Sequence, residues 1–374
     1  MAARGRGRNM SSDPVFTPLI IPGSSQSSGK KSSDITLGSE LSVVCDSFPV
    51  LDPAPSVKRF LCFVFGNGAM STLTFDVGEE GINLTKMKEV KAMPHLPCGS
   101  TAVWGPPLPP KPGKAIRQVV LWGGLDKGRW CCSNDLIKVD LTMTPKTTTA
   151  KVCILPGEKQ DSVPSSRTGH ILVAISSTQA ILFGGLELSS RHKRFGTCAQ
   201  SCRDGYFYSL DMPTLCWQKL PLPPLVPRAY HSSTWIPASS TIVIVGGITY
   251  SGHCPSERLS ISDVVCLKIY DGQYTLTEAH MEGVPDSYVS SASASALCDD
   301  RFVVYGGYRH DKSGLHRPES SSNMYILDLR TRKAVVHHAP SKMASAGHTC
   351  QRLNDSTVVL IGGTCKSVNC CSNL

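Results

Sequence analysis

The sequence predicts an all-β fold made of repeated four-stranded units arranged in a ring. The chain is rich in turn formers, with 32 Gly and 26 Pro, and only 18% of its residues are charged. Double glycines recur about every 60 residues, and each one closes a short apolar run. Self-similarity at one period is typical of repeat architectures. We therefore expect a β-propeller with six blades and four antiparallel strands per blade, since radial closure protects the sheet edges.

The doublets mark the end of the second strand of each unit. A sixth, imperfect copy is RFLCFVFGNG around Gly66. Glycine is expected at these positions because backbones approach closely there and φ can be positive. A phosphate-binding role is not favoured, since no helix start follows them. These structural glycines are Gly123, Gly124, Gly184, Gly185, Gly246, Gly247, Gly306, Gly307, Gly362 and Gly363.

One unit shows all four strands. Around Gly184 the runs are HILVAI, AILFGG, GYFYSLDM and LCWQKLP. The third and fourth runs recur as NDLIKVDL and KVCILP, SDVVCLKI and YTLTEAH, and SNMYILDL and KAVVHHAP. Apolar runs of this length bounded by Gly, Pro, Ser and Asp indicate strands.

The same unit resembles a kelch repeat. In YSLDMPTLCWQKLPLPP, downstream of the double glycine, Tyr208 and Trp217 occupy the aromatic positions of that motif. The other units keep the glycines but mostly lose the tryptophan. The resemblance implies a kelch-type propeller.

Ring closure and domain limits are predicted as follows. The run ITLGSELSVVC (35–45) is expected to be an N-terminal strand that supplies the outer strand of the last blade. Residues 1–34, rich in Ser and Arg, read as a disordered tail, and 35–374 as the propeller. There is no apolar run long enough to span a membrane and no secretory signal. The 16 cysteines are therefore expected as reduced thiols.

Catalytic patterns are not evident. His170, His231 and His348 recur at the start of the first strand, which favours a structural hydrogen-bonding role over a general base. There is no nucleophile elbow or Walker loop, and no clustered carboxylates. The cysteine groups lack the spacing of a zinc site. We expect a non-enzyme with no metal or cofactor of its own.

Basic loops are the stronger functional signal. In a four-stranded blade the loops between second and third strands share one face, and here four of them carry ten Lys or Arg against five acids. The net charge of +9 also favours polyanionic partners. Such loops suit DNA phosphates, although ordinary solvated loops could look alike. The candidate DNA contacts are Lys127, Arg129, Arg191, Lys193, Arg194, Arg258, Arg309, Lys312 and Arg317; Arg203 completes the count.

The order of features resembles one kelch family. A glycine-poor first blade (FVFGNG…STLTFDV), SVPSSRTGH…ILFGG with a long loop behind it, and the serine-rich GVPDSYVSSASASALCDDRFVVYGGY are similar to the propellers of V(D)J recombination-activating protein two and its transposon-encoded relatives. The resemblance spans roughly residues 35–374. It departs from the vertebrate form because no cysteine/histidine array of a PHD finger is present, so histone-tail reading is not expected.

That resemblance implies a nuclear, non-catalytic accessory subunit. It would bind a catalytic RAG-like DDE transposase subunit as a heterotetramer, contact DNA mainly through its backbone, and leave the divalent metal to that partner. Two alternatives stay open. One is a kelch interaction module such as a ubiquitin-ligase substrate adaptor. The other is an oxidase or lyase, which would need a metal or carboxylate cluster at the central channel.

Overall fold

The computed structural model describes residues 20–21, 41–47, 56–66, 68–78, 81–93, 95–109, 111–126, 131–157, 162–188, 199–201, 204–250, 258–260, 263–284, 288–310, 319–340, 344–354 and 357–364. These residues form β-strands and turns, with one short 3-10 helix at Pro237–Ser239. The first strand along the chain, β1 (Ile20–Ile21), belongs to the last sheet of the ring.

Five sheets have four antiparallel strands each, and chain order equals spatial order from the inner to the outer strand. Blade 1 consists of β2 (Ser42–Ser47), β3 (Lys58–Gly66), β4 (Ala69–Gly78) and β5 (Gly81–Ala92). Blade 2 consists of β6 (Thr101–Trp104), β7 (Ala115–Trp122), β10 (Leu136–Met143) and β11 (Thr148–Leu155), with the hairpin β8 (Leu125–Asp126) and β9 (Cys131–Cys132) between its second and third strands. Blade 3 consists of β12 (Ile171–Ala174), β13 (Gln179–Phe183), β16 (Phe207–Asp211) and β17 (Cys216–Lys219), with the hairpin β14 (Leu186–Leu188) and β15 (Ala199–Ser201) in the same place.

Blades 4 and 5 repeat this arrangement, and a last sheet follows. Blade 4 has β18 (Ser232–Ile236), β19 (Thr241–Val245), the hairpin β20 (Ile248–Tyr250) and β21 (Arg258–Ser260), β22 (Val264–Tyr270) and β23 (Gln273–Glu278). The sheet of blade 5 consists of β25 (Ser293–Ala296), β26 (Arg301–Tyr305), β29 (Asn323–Asp328) and β30 (Lys333–His338). A separate three-stranded sheet is formed by β24 (Tyr288–Ser290), β27 (Tyr308–His310) and β28 (Glu319–Ser320). The last sheet contains β31 (Ala346–Asn354) and β32 (Thr357–Thr364).

Among the described residues there are five four-stranded blades, so the prediction of six such blades is wrong. At the sixth position β31 and β32 are joined only by β1, which pairs in parallel with β32 through Ile20–Leu360 and Ile21–Ile361. The role assigned to residues 35–45 in ring closure was also wrong. Their described part, residues 41–45, belongs to the innermost strand of blade 1, where Val43 packs with Phe60 and Val64 of β3. The tail and propeller limits at residue 34 remain predictions.

The ring closes through contacts between the inner strands β31 and β2. The Thr349 hydroxyl donates to the carbonyl of Leu41 at 3.0 Å, and the Gln351 amide donates to that of Val43 at 3.1 Å. Hydrophobic clusters lie between successive sheets all the way round, including one that joins Val359 and Ile361 to blade 1. The core is therefore a set of interfaces between sheets, and it is continuous around the ring.

Two cysteines depart from the expected reduced state. Cys45 and Cys62 are direct cross-strand neighbours on β2 and β3 and form a disulfide. Among the described residues the other cysteines are free thiols, of which Cys132, Cys266 and Cys350 are buried. Burial raises the pKa of the Cys350 thiol to about 12. Its thiol therefore stays protonated and packs as a small apolar group.

The double glycines of blades 2, 3 and 5 fasten these blades to the sheet that follows. All ten glycines of the five doublets have φ between +66° and +110°. The N–H of the second glycine donates across the blade boundary: Gly124 to the carbonyl of Arg167, Gly185 to that of Arg228, and Gly307 to that of Ser345, each at 2.8 Å. These bonds, with the side-chain packing around them, are called the blade clasp below.

Space at the clasp is too small for a side chain. A Cβ on Gly123 would lie 2.6 Å from the ring of His170 and 2.9 Å from the carbonyl oxygen of Arg167, both in the next blade. A Cβ on Gly184 would collide with the carbonyl of Arg228 and the ring of His231. The glycines thus combine a left-handed backbone with close packing against the neighbouring blade.

Gly123→Ala should lower the free energy of unfolding by about 2–4 kcal/mol, because a strained φ and a clash with backbone act together. Gly272→Ala is the matched control: φ is +71°, and a Cβ there has nothing within 4 Å. We expect about 1 kcal/mol for the control from the backbone alone. Urea denaturation measures both, and equal losses would contradict the clasp.

Candidate functional site

Four hairpins stand between the second and third strands of blades 2 to 5. They are β8–β9, β14–β15, β20–β21 and the pair β27–β28, to which β24 adds a third strand. Each starts directly behind a double glycine. The two positive φ values turn the chain out of the blade sheet and into the hairpin.

The hairpins touch one another in ring order. Strand β9 lies beside β14, β15 beside β20, and β21 beside β24. The first of these junctions includes a weak hydrogen bond from the Cys132 thiol to the carbonyl of Leu186 at 3.4 Å. The four hairpins thus form an arc over blades 2 to 5, here named the crown. The loops singled out for their charge emerge from neighbouring hairpins.

The described residues include two of the predicted DNA contacts. Arg309 is exposed on β27, where it is opposite Val289 on one side and Glu319 on the other. Arg258 begins β21 opposite Tyr250. The remaining candidates fall outside the described residues: Lys127, Arg129, Arg191, Lys193, Arg194, Lys312 and Arg317. The structure places the bases of their loops side by side, and their role in DNA binding stays a prediction.

Two buried arginines secure the bases of the crown loops. The side chain of Arg167 is fully buried; it donates to the carbonyl of Gly184 at 3.1 Å and pairs with Asp204 at 3.2 Å. Gly184 comes just before the hairpin of blade 3 and Asp204 just behind it, so one guanidinium bridges both ends of the loop. Tyr208 donates to the same carboxylate at 2.9 Å.

Blade 4 repeats this arrangement. The Arg228 side chain, 1% exposed, bonds the carbonyl of Gly246 at 3.3 Å and pairs with both carboxylate oxygens of Asp263. A buried guanidinium without its carboxylate would be strongly destabilising. The crown loops on blades 3 and 4 therefore start and end at bases that a buried guanidinium holds together. Sequence reasoning missed this feature, although Arg three residues before His in both RTGH and RAYH was a visible signal.

The recurring histidines are packing elements of the clasp. His170 lies edge-on to Trp122 with ring centroids 5.0 Å apart, His231 to Phe183 at 5.3 Å, and His348 to Tyr305 at 5.4 Å. Each aromatic residue directly precedes a double glycine of the previous blade. His170 also bonds the hydroxyl of Thr101 at 2.7 Å.

These histidines are neutral in the folded protein. Burial, with the Arg167 guanidinium nearby, lowers the pKa of His170 to about 3. Burial lowers the pKa of His348 to about 4, and burial with the charge of Arg228 holds the pKa of His231 well below its usual value. A base so weak and so enclosed is unsuited to proton transfer near neutral pH.

Metal-binding clusters and membrane-spanning helices are both absent from the described part of the chain. It holds no group of three or more His, Cys, Asp or Glu side chains that could bind a metal ion. The same residues contain no helix with the length and hydrophobicity needed to cross a bilayer.

No family model matches the chain. An adagio-like protein 2 of Oryza sativa subsp. japonica is 26% identical over 179 residues, which is 46% of this chain and 24% of that protein. Adagio protein 3 of Arabidopsis thaliana is 27% identical over 172 residues, 45% of this chain and 24% of that protein. The chain thus matches only about a quarter of the length of these curated relatives.

Solved structures share the fold. YjhT aligns over 88% of this chain and 91% of its own, with a TM-score of 0.57 and 14% identity. A chain from a RAG complex with one melted and one unmelted RSS aligns over 84% of this chain and 92% of its own, with a TM-score of 0.49 and 16% identity. At this identity the likeness to YjhT shows a shared fold and leaves activity open.

The buried histidines make the stability of the ring dependent on pH. The unfolded chain takes up protons near pH 6.5, whereas folded His170 and His348 resist protonation until about pH 3 and 4. The unfolded state thus binds more protons in between, and the free energy of unfolding should fall as pH drops below 6.5. Each histidine contributes a slope of up to about 1.4 kcal/mol per pH unit.

Urea denaturation between pH 7.5 and 5.5 measures this slope. His170→Gln should be less stable at pH 7.5 but lose less stability on acidification. His280→Gln, at an exposed histidine between blades 4 and 5, is the control and should keep the parent slope. If the free energy of unfolding of the His170 variant fell with pH as steeply as that of the parent protein, burial would not suppress protonation of His170.

Proposed function

We propose that this propeller is a non-catalytic accessory subunit of a RAG-like DNA recombinase or transposase. The observation that carries the proposal is the crown, in which four loops rich in Lys and Arg rise from hairpins that touch one another. Phosphates are bound by such side chains without any need for a pocket or a catalytic group. The order of blade features along the sequence supports the choice of family.

In this proposal the crown binds the DNA backbone and another surface binds the catalytic DDE subunit. Two copies of each chain form a heterotetramer that acts in the nucleus on transposon ends or recombination signals. The divalent metal belongs to the carboxylates of the catalytic partner. The buried Arg167 and Arg228 hold the bases of two crown loops together, so the ends of these loops need little reorganisation when DNA binds.

A second candidate is a kelch-type interaction module, such as a substrate adaptor of a ubiquitin ligase. The partial similarity to adagio-like proteins, whose names carry no mention of recombination, favours it. On this alternative the crown binds an acidic protein surface, and no DDE subunit is involved.

Co-expression with the RAG-like DDE subunit of the same source separates the two. We expect a complex on size-exclusion chromatography with light scattering, and faster nicking of end-containing DNA than with the DDE subunit alone. The control is Gly123→Ala, which weakens the ring. It tests whether this chain only keeps the DDE subunit soluble without forming a specific complex. Two independent peaks together with an unchanged nicking rate would reject the recombinase proposal.

Reversing the charges of the blade 3 crown loop, Arg191, Lys193 and Arg194 to Glu, should weaken binding to duplex DNA. The slope of log affinity against log salt should fall by about 0.9 for each phosphate that the loop no longer neutralises. The control reverses Arg330, Arg332 and Lys333, exposed in the turn between third and fourth strands of blade 5 and hence on the opposite face. The same slope in both variants would mean that the loop is only a solvated surface.

A further inference from the structure

The outer strand of blade 1 is unusual in length and charge. β5 has 12 residues, whereas the outer strands of blades 2 to 5 have between 4 and 8. It carries Lys86, Lys88 and Lys91, all exposed, against one acid, Glu89. Within the described residues, β4 is its only strand partner, so it forms the rim of the ring.

The basic surface borders blade 2. β11, the outer strand of that blade, lies beside β5, and the Lys91 ammonium donates to the carbonyl of Ala150 at 3.3 Å. Lys151 is exposed too, but it lies on the other face of β11 from Ala150, which packs toward blade 1. Lys86, Lys88 and Lys91 thus form one basic surface at the edge of blade 1, named here the lysine strip.

Outer strands elsewhere do not share this charge. On blade 3, β17 has one lysine, Lys219, whose ammonium is engaged 3.1 Å above the ring of Tyr206. On blade 4, the one charged residue of β23 is Glu278. On blade 5, β30 has one lysine, Lys333. The lysine strip therefore lies on the rim of blade 1, whereas the crown stands over blades 2 to 5.

We propose that the lysine strip is a second binding surface for the DNA phosphate backbone, on the side of the ring; this rests on the proposed function in its choice of DNA as ligand. The strip offers ammonium point charges rather than guanidinium forks, which suits phosphates approached without fixed geometry. Lys86 and Lys88 are two strand residues apart, about 7 Å. This spacing suits a duplex strand that carries a phosphate about every 3.4 Å of helix axis.

The alternative is that edge lysines only prevent sheets from pairing edge to edge. Glutamate separates the two roles, since it keeps a charge on the edge but repels phosphate. The variant with Lys86, Lys88 and Lys91 changed to Glu should keep the oligomeric state of the parent protein yet bind a duplex of about 40 base pairs roughly tenfold more weakly, with a lower salt slope. The same positions changed to Arg should bind like the parent. Arg330, Arg332 and Lys333 to Glu is again the control.

Measured beside the crown variant, these results separate the two proposals. Weak binding by the strip variant alone supports the strip and removes the crown as the DNA site. Weak binding by the crown variant alone keeps the proposed function and leaves the strip as edge protection. Parent-like binding by both overturns both proposals.

Lysine footprinting on the unmodified protein gives an independent answer if the glutamate variant misfolds. Acetylation of Lys86, Lys88 and Lys91, read by mass spectrometry, should slow several-fold when duplex DNA is added, and Lys333 should react as before. Unchanged reactivity overturns the proposal. Protection by polyglutamate but not by DNA would overturn it in favour of an acidic protein partner.

Discussion

The structure depends on the blade clasp, the hydrogen bond from the second glycine of one blade to a carbonyl of the next. Gly124, Gly185 and Gly307 make this bond with the same 2.8 Å length across three separate boundaries. Around it, an aromatic residue, two glycines and a histidine fill the space so tightly that no Cβ fits. Further backbone hydrogen bonds join neighbouring blades, from Tyr230 to Gly169 at 2.8 Å, from Ser291 to Tyr230 at 2.8 Å and from Gly347 to Ser291 at 2.9 Å. The clasp and these bonds together set the alignment of one blade with the next.

The clasp also connects fold to candidate function. The Arg whose carbonyl accepts the glycine N–H is the same residue whose guanidinium bridges the two ends of a crown loop, as Arg167 and Arg228 show. One side of each residue holds the neighbouring blade, and the other holds the loop base. Movement of a crown hairpin relative to its blade would therefore cost a buried ion pair as well as packing. The basic loops stand on a stiff platform, which favours binding surfaces that need little reorganisation.

Much of the fold could be predicted from local sequence. The four strands around Gly184 and the paired third and fourth strands of the other units were located correctly, because each is a short apolar run bounded by turn residues. The number of blades was predicted wrongly, because counting double glycines does not show which strands pair with the strand of Gly362 in the last sheet. The role predicted for residues 35–45 was also wrong, because a strand's place in a ring is set by long-range packing. Pairing of Cys45 with Cys62 follows from cross-strand register, which composition does not reveal.

Of the candidate site, the charged loops could be assigned to one face of the ring from the sequence. Arg167 and Arg228 were overlooked, because a search for exposed charged residues passes over buried ones.

The clasp redefines the repeating unit of the molecule. A blade counted from its first to its fourth strand contains half of one clasp and half of another, so it is not self-contained. A unit that keeps a whole clasp runs from the arginine–histidine segment of one blade to the same segment of the next blade. The double glycine of one such unit then always lies beside the arginine–histidine segment that it binds. Exchanging blades between propellers, or opening the ring at a new point, would keep the joints intact only if the cut falls in the turns on the opposite face, away from the double glycines.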